Sequence, residues 1–153
     1  MNYLTEGGGA KGTYNYITQG GHAVVSSASV TITKVDLDMG TDTTSCTQDY
    51  SRSLDDDGVS DCDAGHILAH RLGGPGNQPI NIFPQDLSVN RGSYAQFEDE
   101  IYDCILSGTS ISGSLSWKFT YGNSSATKPS AVSYAASFSS GGTCKTISAD
   151  FPN

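Results

Sequence analysis

Residues 61–100 read DCDAGHILAHRLGGPGNQPINIFPQDLSVNRGSYAQFEDE. His66, His70, Asn81, Gln85, Asn90 and Glu98 stand here among Gly and Pro. That composition suits a folded loop with polar groups aimed inward, followed by a helix. The spacing predicts the helix over 92–106, the strongest helical signal in the chain. Ser93-Tyr-Ala-Gln96 fits a capping box, with Ser93 as N-cap and Gln96 reaching back. Tyr94, Phe97, Ile101, Cys104 and Ile105 then make one apolar stripe, and Gly108 supplies a stop. At about 100° per residue, Glu98 falls at the edge of that stripe. A carboxylate there calls for a partner, a water cluster or an ion. The plainer alternative is a Glu that bends its head out to solvent.

On either side of this stretch the pattern is that of strands. Over residues 22–38, Ala28, Val30 and Ile32 alternate with Ser, Thr and Lys. Residues 115–121 put Leu115, Trp117, Phe119 and Tyr121 on one face, and 132–138 do the same with Val132, Tyr134, Ala136 and Phe138. The turn chemistry of GNSSATKPS between them predicts an antiparallel pair. Thr143–Asn153 adds a short strand. Residues 39–60 carry turn formers and the acidic run Asp55-Asp56-Asp57, read first as a solvated loop. The 153 residues suit one domain. Residues 1–21 are expected to be an irregular N-terminal segment, with a single domain over 22–153 and its motif core at 60–106. The fold class is α+β, one main helix packed on an antiparallel sheet.

No apolar run approaches the ~20 residues of a membrane span, so no membrane partner is expected. The N-terminus lacks a basic-then-apolar secretory pattern, which fits a mature form with a start Met added. The four cysteines, Cys46, Cys62, Cys104 and Cys144, contain no C-x-x-C pair, which disfavours zinc. An even count in a Ser/Thr/Gly-rich chain reads as two disulfides, an oxidising compartment and a secreted protein. Of three pairings, Cys46–Cys62 with Cys104–Cys144 is favoured, the first bracing the approach to the central stretch and the second tying the helix to the C-terminal strand. Four buried thiols are the competing reading. The net charge of −8 argues against a nucleic-acid ligand, since phosphate binding normally relies on Lys and Arg. It does not locate the cations, however, and Arg71 and Arg91 fall inside the central stretch. A bound divalent cation also adds local positive charge.

Phosphodiester hydrolysis needs a base for water, charge neutralisation at the phosphate and a proton for the leaving oxygen. A neutral His66 serves as base near its own pKa of ~6.5. Mg²⁺ prefers oxygen ligands and keeps several waters, which suits Asn90 and Glu98. Taken singly, each of these residues has a bland reading: a satisfied polar group or a turn residue.

Order and spacing change that balance. Asp63-Ala-Gly-His66, then Asn81-Ile-Phe-Pro84-Gln85, then Asn90-Arg-Gly, then Glu98, closely resembles the DNA/RNA non-specific endonucleases of the ββα-metal, or His-Me finger, superfamily. Their pattern is D-x-G-H, N-x-x-P-Q, N-[RQ]-G and a Glu eight positions past that Asn; here 90 − 81 = 9 and 98 − 90 = 8, as in the family. The flank His70-Arg71-Leu72-Gly73-Gly74, the Lys128-Pro129 turn and the terminal Phe151–Asn153 resemble the secreted bacterial toxin-type branch.

The resemblance implies a ββα finger and a secreted, metal-dependent endonuclease acting on DNA, RNA or both. It implies 5′-phosphate and 3′-hydroxyl ends, with Mg²⁺ or Mn²⁺ as cofactor. His66 would be the general base, and the main-chain carbonyl of Asn81 would orient its imidazole. Gln85 would support the site. Asn90 would be the direct protein ligand of the cation, and Glu98 would fix the cation's waters. Asp63 would brace the turn, and His70 receives no role. Arg71 and Arg91 are phosphate candidates. Family members usually carry a basic residue before D-x-G-H; Arg52 is the sole upstream arginine, with Lys11 and Lys34 as the other cations. An inhibitor or immunity protein is a further partner. The alternative is a secreted, disulfide-stapled binding module that keeps the fold without catalysis, motivated by the charge of −8.

Overall fold

Alternation of apolar and small polar residues makes strands that bury one face, and six of them assemble in this computed structural model. It describes residues 2–7, 10–54, 62–139 and 144–153. The strands are β1 (Asn2–Gly7), β2 (Ala10–Gln19), β3 (His22–Thr33), β6 (Ser112–Thr120), β7 (Ala131–Phe138) and β8 (Ile147–Pro152). Their order is β1-β2-β3-β6-β7-β8, antiparallel throughout. The register places Ala28, Trp117, Tyr134 and Ala149 across neighbouring strands on one face. The opposite face is Ser, Thr and Lys: Ser29, Ser116 and Ser148 are exposed.

The long helix covers the apolar face. α3 (Ser93–Ser107) buries Tyr94, Phe97, Ile101 and Ile105. The rings of Tyr94 and Phe97 meet those of Tyr134 and Phe151 at centroid distances of 4.6–5.6 Å, and Trp117 meets Tyr134 at 4.5 Å. Burying each of these side chains contributes roughly 1.5–3 kcal/mol. The helix is tied further by the Cys104–Cys144 disulfide, the pairing read from the sequence.

The remaining elements make the finger. β4 (Cys62–His66) pairs antiparallel with β5 (Ile82–Asp86), followed by α2 (Leu87–Arg91) and α3. Phe83 meets Phe119 edge-on at 5.2 Å, which seats β5 on the large sheet. Asn153 closes the joint: its amide donates to the Pro84 and Pro129 carbonyls at 3.0 and 2.8 Å, and its Oδ1 accepts from the Asp86 N–H at 2.6 Å. α1 (Ser45–Leu54) lies against β4 and β5. No helix among the described residues is long and apolar enough to cross a membrane.

Four sequence expectations need correction. The segment 1–21 is not irregular: residues 2–7 form β1 and residues 10–19 form β2. Gly20 and Gly21, both at positive φ (51° and 81°), close a two-residue hairpin between Gln19 and His22. Residues 39–60 do not lack a helix, since α1 forms there. The helix of 92–106 has no Ser93 capping box: Gly92 is its N-cap, and a separate short helix, α2, precedes it from Leu87. There the Asp86 carboxylate accepts from the Ser88 and Val89 N–H groups, and the Gly92 carbonyl accepts from the Gln96 N–H. Finally, one disulfide is present, not two. Cys46 and Cys62 are not bridged because Cys46 is exposed on α1, about 200° around the helix from Gln48, whose side faces Cys62. The Asp55-Asp56-Asp57 run lies outside the described residues.

Candidate active site

His66 ends β4 and looks into a cleft of about 460 Å³ between α1 and the finger. Gln48, Ser51 and Arg52 of α1 form one wall; Asp63, His66 and Asn90 form the other. The imidazole Nε2 lies 3.0 Å from the Thr41 carbonyl. A carbonyl only accepts, so Nε2 carries the proton and Nδ1 keeps its lone pair. Burial lowers the His66 pKa below its ordinary value, the Thr41 contact opposes that, and His70 and Asp42 act in opposite directions nearby. The ring is therefore a neutral base at neutral pH.

The carbonyl expected to hold this ring was that of Asn81. It accepts instead from the Ile67 N–H at 2.7 Å. Asn81 is fully buried and saturated. Its Oδ1 accepts from Tyr14 Oη (2.6 Å) and Leu68 N (2.9 Å), and its Nδ2 donates to the Leu68 and Pro75 carbonyls (2.9 and 3.0 Å). It fixes the loop after His66 rather than the imidazole. Gln85 is also buried, and neither of its amide atoms has a partner among the described residues. Its side chain lies across Gly65, where a Cβ would sit 2.2 Å from Oε1. Glycine in Asp63-Ala-Gly-His66 is therefore a steric requirement of Gln85.

Asn90 sits on α2 with its Nδ2 donating to Asp63 at 2.8 Å. Arg91 grips the same carboxylate through Nε and Nη2 at 3.0 and 2.9 Å. Asp63 thus braces α2 against β4 and orients Asn90. The Asn90 Oδ1 is left with no hydrogen bond among the described residues. The same holds for the half-buried Glu98 carboxylate. Its pKa is raised well above the usual carboxylate range by burial and by Asp99, against the pull of Arg71. The Asn90 Oδ1 lines the cleft and is a donor of the kind a hard cation takes, whereas Glu98 is not among the residues that line it. No cluster of three or more His, Cys, Asp or Glu side chains that could hold a metal ion is present among the described residues.

The arginines are placed unequally. Arg52 lines the cleft and pairs with Asp49 on its own helix at 2.6 Å. Arg91 is held by Asp63. Arg71 does not line the cleft; it pairs with Asp99 and stacks 4.3 Å over the Tyr102 ring. Sequence reasoning missed Thr41, Asp42, Gln48 and Ser51. Thr41 acts through a main-chain atom, which leaves no signature, and α1 has too little apolar content to announce itself.

The model of the DNA/RNA non-specific endonucleases matches residues 10–137. The chain belongs to the DNA/RNA non-specific endonuclease family. It is 39% identical over 118 residues to the probable deoxyribonuclease RhsA of Dickeya dadantii (strain 3937). That match covers 77% of this chain and only 8% of the relative, so the chain spans a small part of that protein's length. Among solved structures it resembles NucA from Streptococcus agalactiae with magnesium ion bound: TM-score 0.61 at 12% identity, covering 99% of this chain and 84% of NucA. The metal-free NucA structure matches at TM-score 0.62 and 11% identity, covering 99% and 83%. At such identity the likeness shows the fold.

Proposed function

We propose that this member of the family is a metal-dependent endonuclease that cleaves DNA, RNA or both without sequence specificity. The observation that carries this reading is His66, whose Nε2 meets the Thr41 carbonyl so that Nδ1 can act as the base, in the same cleft as Asn90, whose oxygen has no hydrogen bond among the described residues. His66 Nδ1 takes a proton from water, and the resulting hydroxide attacks phosphorus in line with the leaving 3′ oxygen. Asn90 would hold the cation directly and Glu98 would hold it through water; Mg²⁺ bound there supplies charge neutralisation at the phosphate and the leaving oxygen. The magnesium in NucA supports Mg²⁺ for this chain, and Mn²⁺ suits the same donors. Gln85 supports the site from beneath Asp63 and His66. Arg52 takes the place of the basic residue that family members carry upstream, with Arg91 as a second phosphate contact; Arg71 is the weakest of the three, being engaged elsewhere. Water in the cleft returns a proton to the leaving 3′ oxygen, so the products are 5′-phosphate and 3′-hydroxyl ends.

The Cys104–Cys144 disulfide supports a protein that works in an oxidising compartment outside the cell that makes it. An inhibitor or immunity protein would then protect the producer. The alternative, a secreted binding module on the same fold, draws on one observation. Each of the three arginines is paired with an Asp, so phosphate must compete with a carboxylate at every one. Incubation of plasmid DNA and structured RNA with Mg²⁺, Mn²⁺ or EDTA separates the two. Metal-dependent degradation is the expected result, and the DNA-to-RNA rate ratio assigns the substrate. Folded, metal-replete protein that degrades neither would favour the binding module.

A further inference from the structure

The imidazole of His66 is only as well oriented as the Thr41 carbonyl that receives its proton. Thr41 lies in a strap, residues 38–44, that has no helix or strand of its own from residue 39 onward. A carbonyl in irregular chain needs external restraints to hold one direction. The loop after β4 supplies them. The Thr41 N–H donates to the Gly74 carbonyl at 3.2 Å, and Thr41 Oγ1 accepts from the Gly76 N–H at 2.9 Å. Thr41 Oγ1 also lies 3.3 Å from Asn77 Oδ1, the Asp38 N–H donates to the Arg71 carbonyl at 2.8 Å, and His70 adds two more. Its carbonyl accepts from the Gly40 N–H at 3.2 Å, and its Nδ1 lies 2.9 Å from Asp42 Oδ1. Among the described residues, His70 therefore grips the strap on both sides of Thr41, once by main chain and once by side chain.

We propose that His70 is a positioning residue for His66, acting through the main-chain carbonyl of Thr41. The proposal rests on His66 being the general base, and it gives a task to a histidine that the catalytic pattern leaves unused. Three observations bear on it. The His70 ring is 43% exposed, so packing does not explain it. Asp42 lines the cleft together with His66, so the His70–Asp42 contact is made at the site itself. The Asp42 side chain is 89% exposed, and a polar contact so placed contributes little to stability. Its loss will therefore show in the orientation of His66 before it shows in the melting temperature.

The test reads the imidazole directly. Long-range proton–nitrogen spectra of histidine-labelled, metal-free protein report which nitrogen of His66 carries the proton. The wild type shows the Nε2–H tautomer. In His70→Ala the His66 signals move toward a mixture of tautomers. In His70→Asn, whose side-chain amide can donate in place of Nδ1, the wild-type pattern returns. In the cleavage assay kcat falls about tenfold for His70→Ala with KM changed less than about twofold, and His70→Asn recovers most of the loss. Asp42→Ala cuts the same contact from its exposed side and decides the matter if His70→Ala does not fold. His66 spectra like the wild type's in folded His70→Ala, or in Asp42→Ala where His70→Ala does not fold, overturn the proposal. Because the spectra need no substrate, a wild type that cleaves nothing would remove the general base while leaving the tautomer result to stand or fall alone.

Discussion

Strand β6 and the strap of residues 38–44 are held in place by different forces. β6 alternates Leu115, Trp117 and Phe119 inward with Ser114, Ser116 and Lys118 outward, and its position follows from apolar burial. The strap buries no comparable row. It is laced by hydrogen bonds to the carbonyls of His70, Arg71 and Gly74, and by the Thr41 hydroxyl that receives the Gly76 N–H. Burial is non-directional and tolerates small shifts, whereas a hydrogen bond fixes a direction. The molecule places bulk with the first and aims atoms with the second. Truncation on the sheet side is expected to cost stability and spare chemistry. Truncation on the cleft side is expected to do the reverse.

The largest effect belongs to the sheet. Trp117→Ala removes an indole packed on Tyr134 and hydrogen-bonded to Tyr94 Oη, and should cost about 3–5 kcal/mol in urea unfolding. A loss below about 1 kcal/mol would mean that the aromatic layer is not the main support. On the cleft side, Asn90→Ala should slow cleavage about 10²–10³-fold and raise the Mg²⁺ concentration needed for half-maximal rate, with the melting temperature little changed. An unchanged Mg²⁺ titration would remove Asn90 from the cation site. Replacing both Cys104 and Cys144 by Ser opens a 40-residue loop and should cost about 2–4 kcal/mol, read as a lower denaturant midpoint. Activity per folded molecule should stay the same.

Smaller effects sharpen the contrast. Burial lowers the His66 pKa, so the neutral, active form persists to more acid pH than an exposed imidazole allows. The acid limb of kcat/KM should therefore have its midpoint below ~6.5, with a plateau through neutrality. A midpoint above that value would contradict a buried base. On the solvated sheet face, Ser116→Ala should change stability by less than about 0.5 kcal/mol and activity not at all.

What was legible in the sequence follows the same division. Alternation at Ala28, Val30 and Ile32, and again at Leu115, Trp117 and Phe119, announced the sheet because burial selects residue type. The stripe of Tyr94, Phe97, Ile101 and Ile105 announced α3 for the same reason. His66, Asn90 and Glu98 stood out as candidates because the motif consists of side chains at fixed spacing, and the structure brings His66 and Asn90 into one cleft. α1 was not, since its buried face is Thr47, Ser51 and Leu54 and two of these are hydroxyl residues. Thr47 is anchored by hydrogen bonds to Thr44 and to the Gly76 carbonyl, not by apolar area. The N-terminal strand was hidden by its glycines, although the Gly20-Gly21 pair is itself a hairpin signal. The restraint on His66 was the least legible, because any residue at position 41 offers a carbonyl. Cys46 shows the limit of sequence distance: it lies close to Cys62 along the chain yet is turned away from it by the helix.

The central claim is that His66 is the base of a metal-dependent nuclease, and one comparison tests it most directly. Cleavage of plasmid DNA and of structured RNA by wild type and by His66→Ala is followed in saturating Mg²⁺, with the melting temperature of both proteins recorded. The account predicts a rate at least about 10²-fold lower in the variant, at an essentially unchanged melting temperature. Wild-type rates from a folded His66→Ala protein would contradict it.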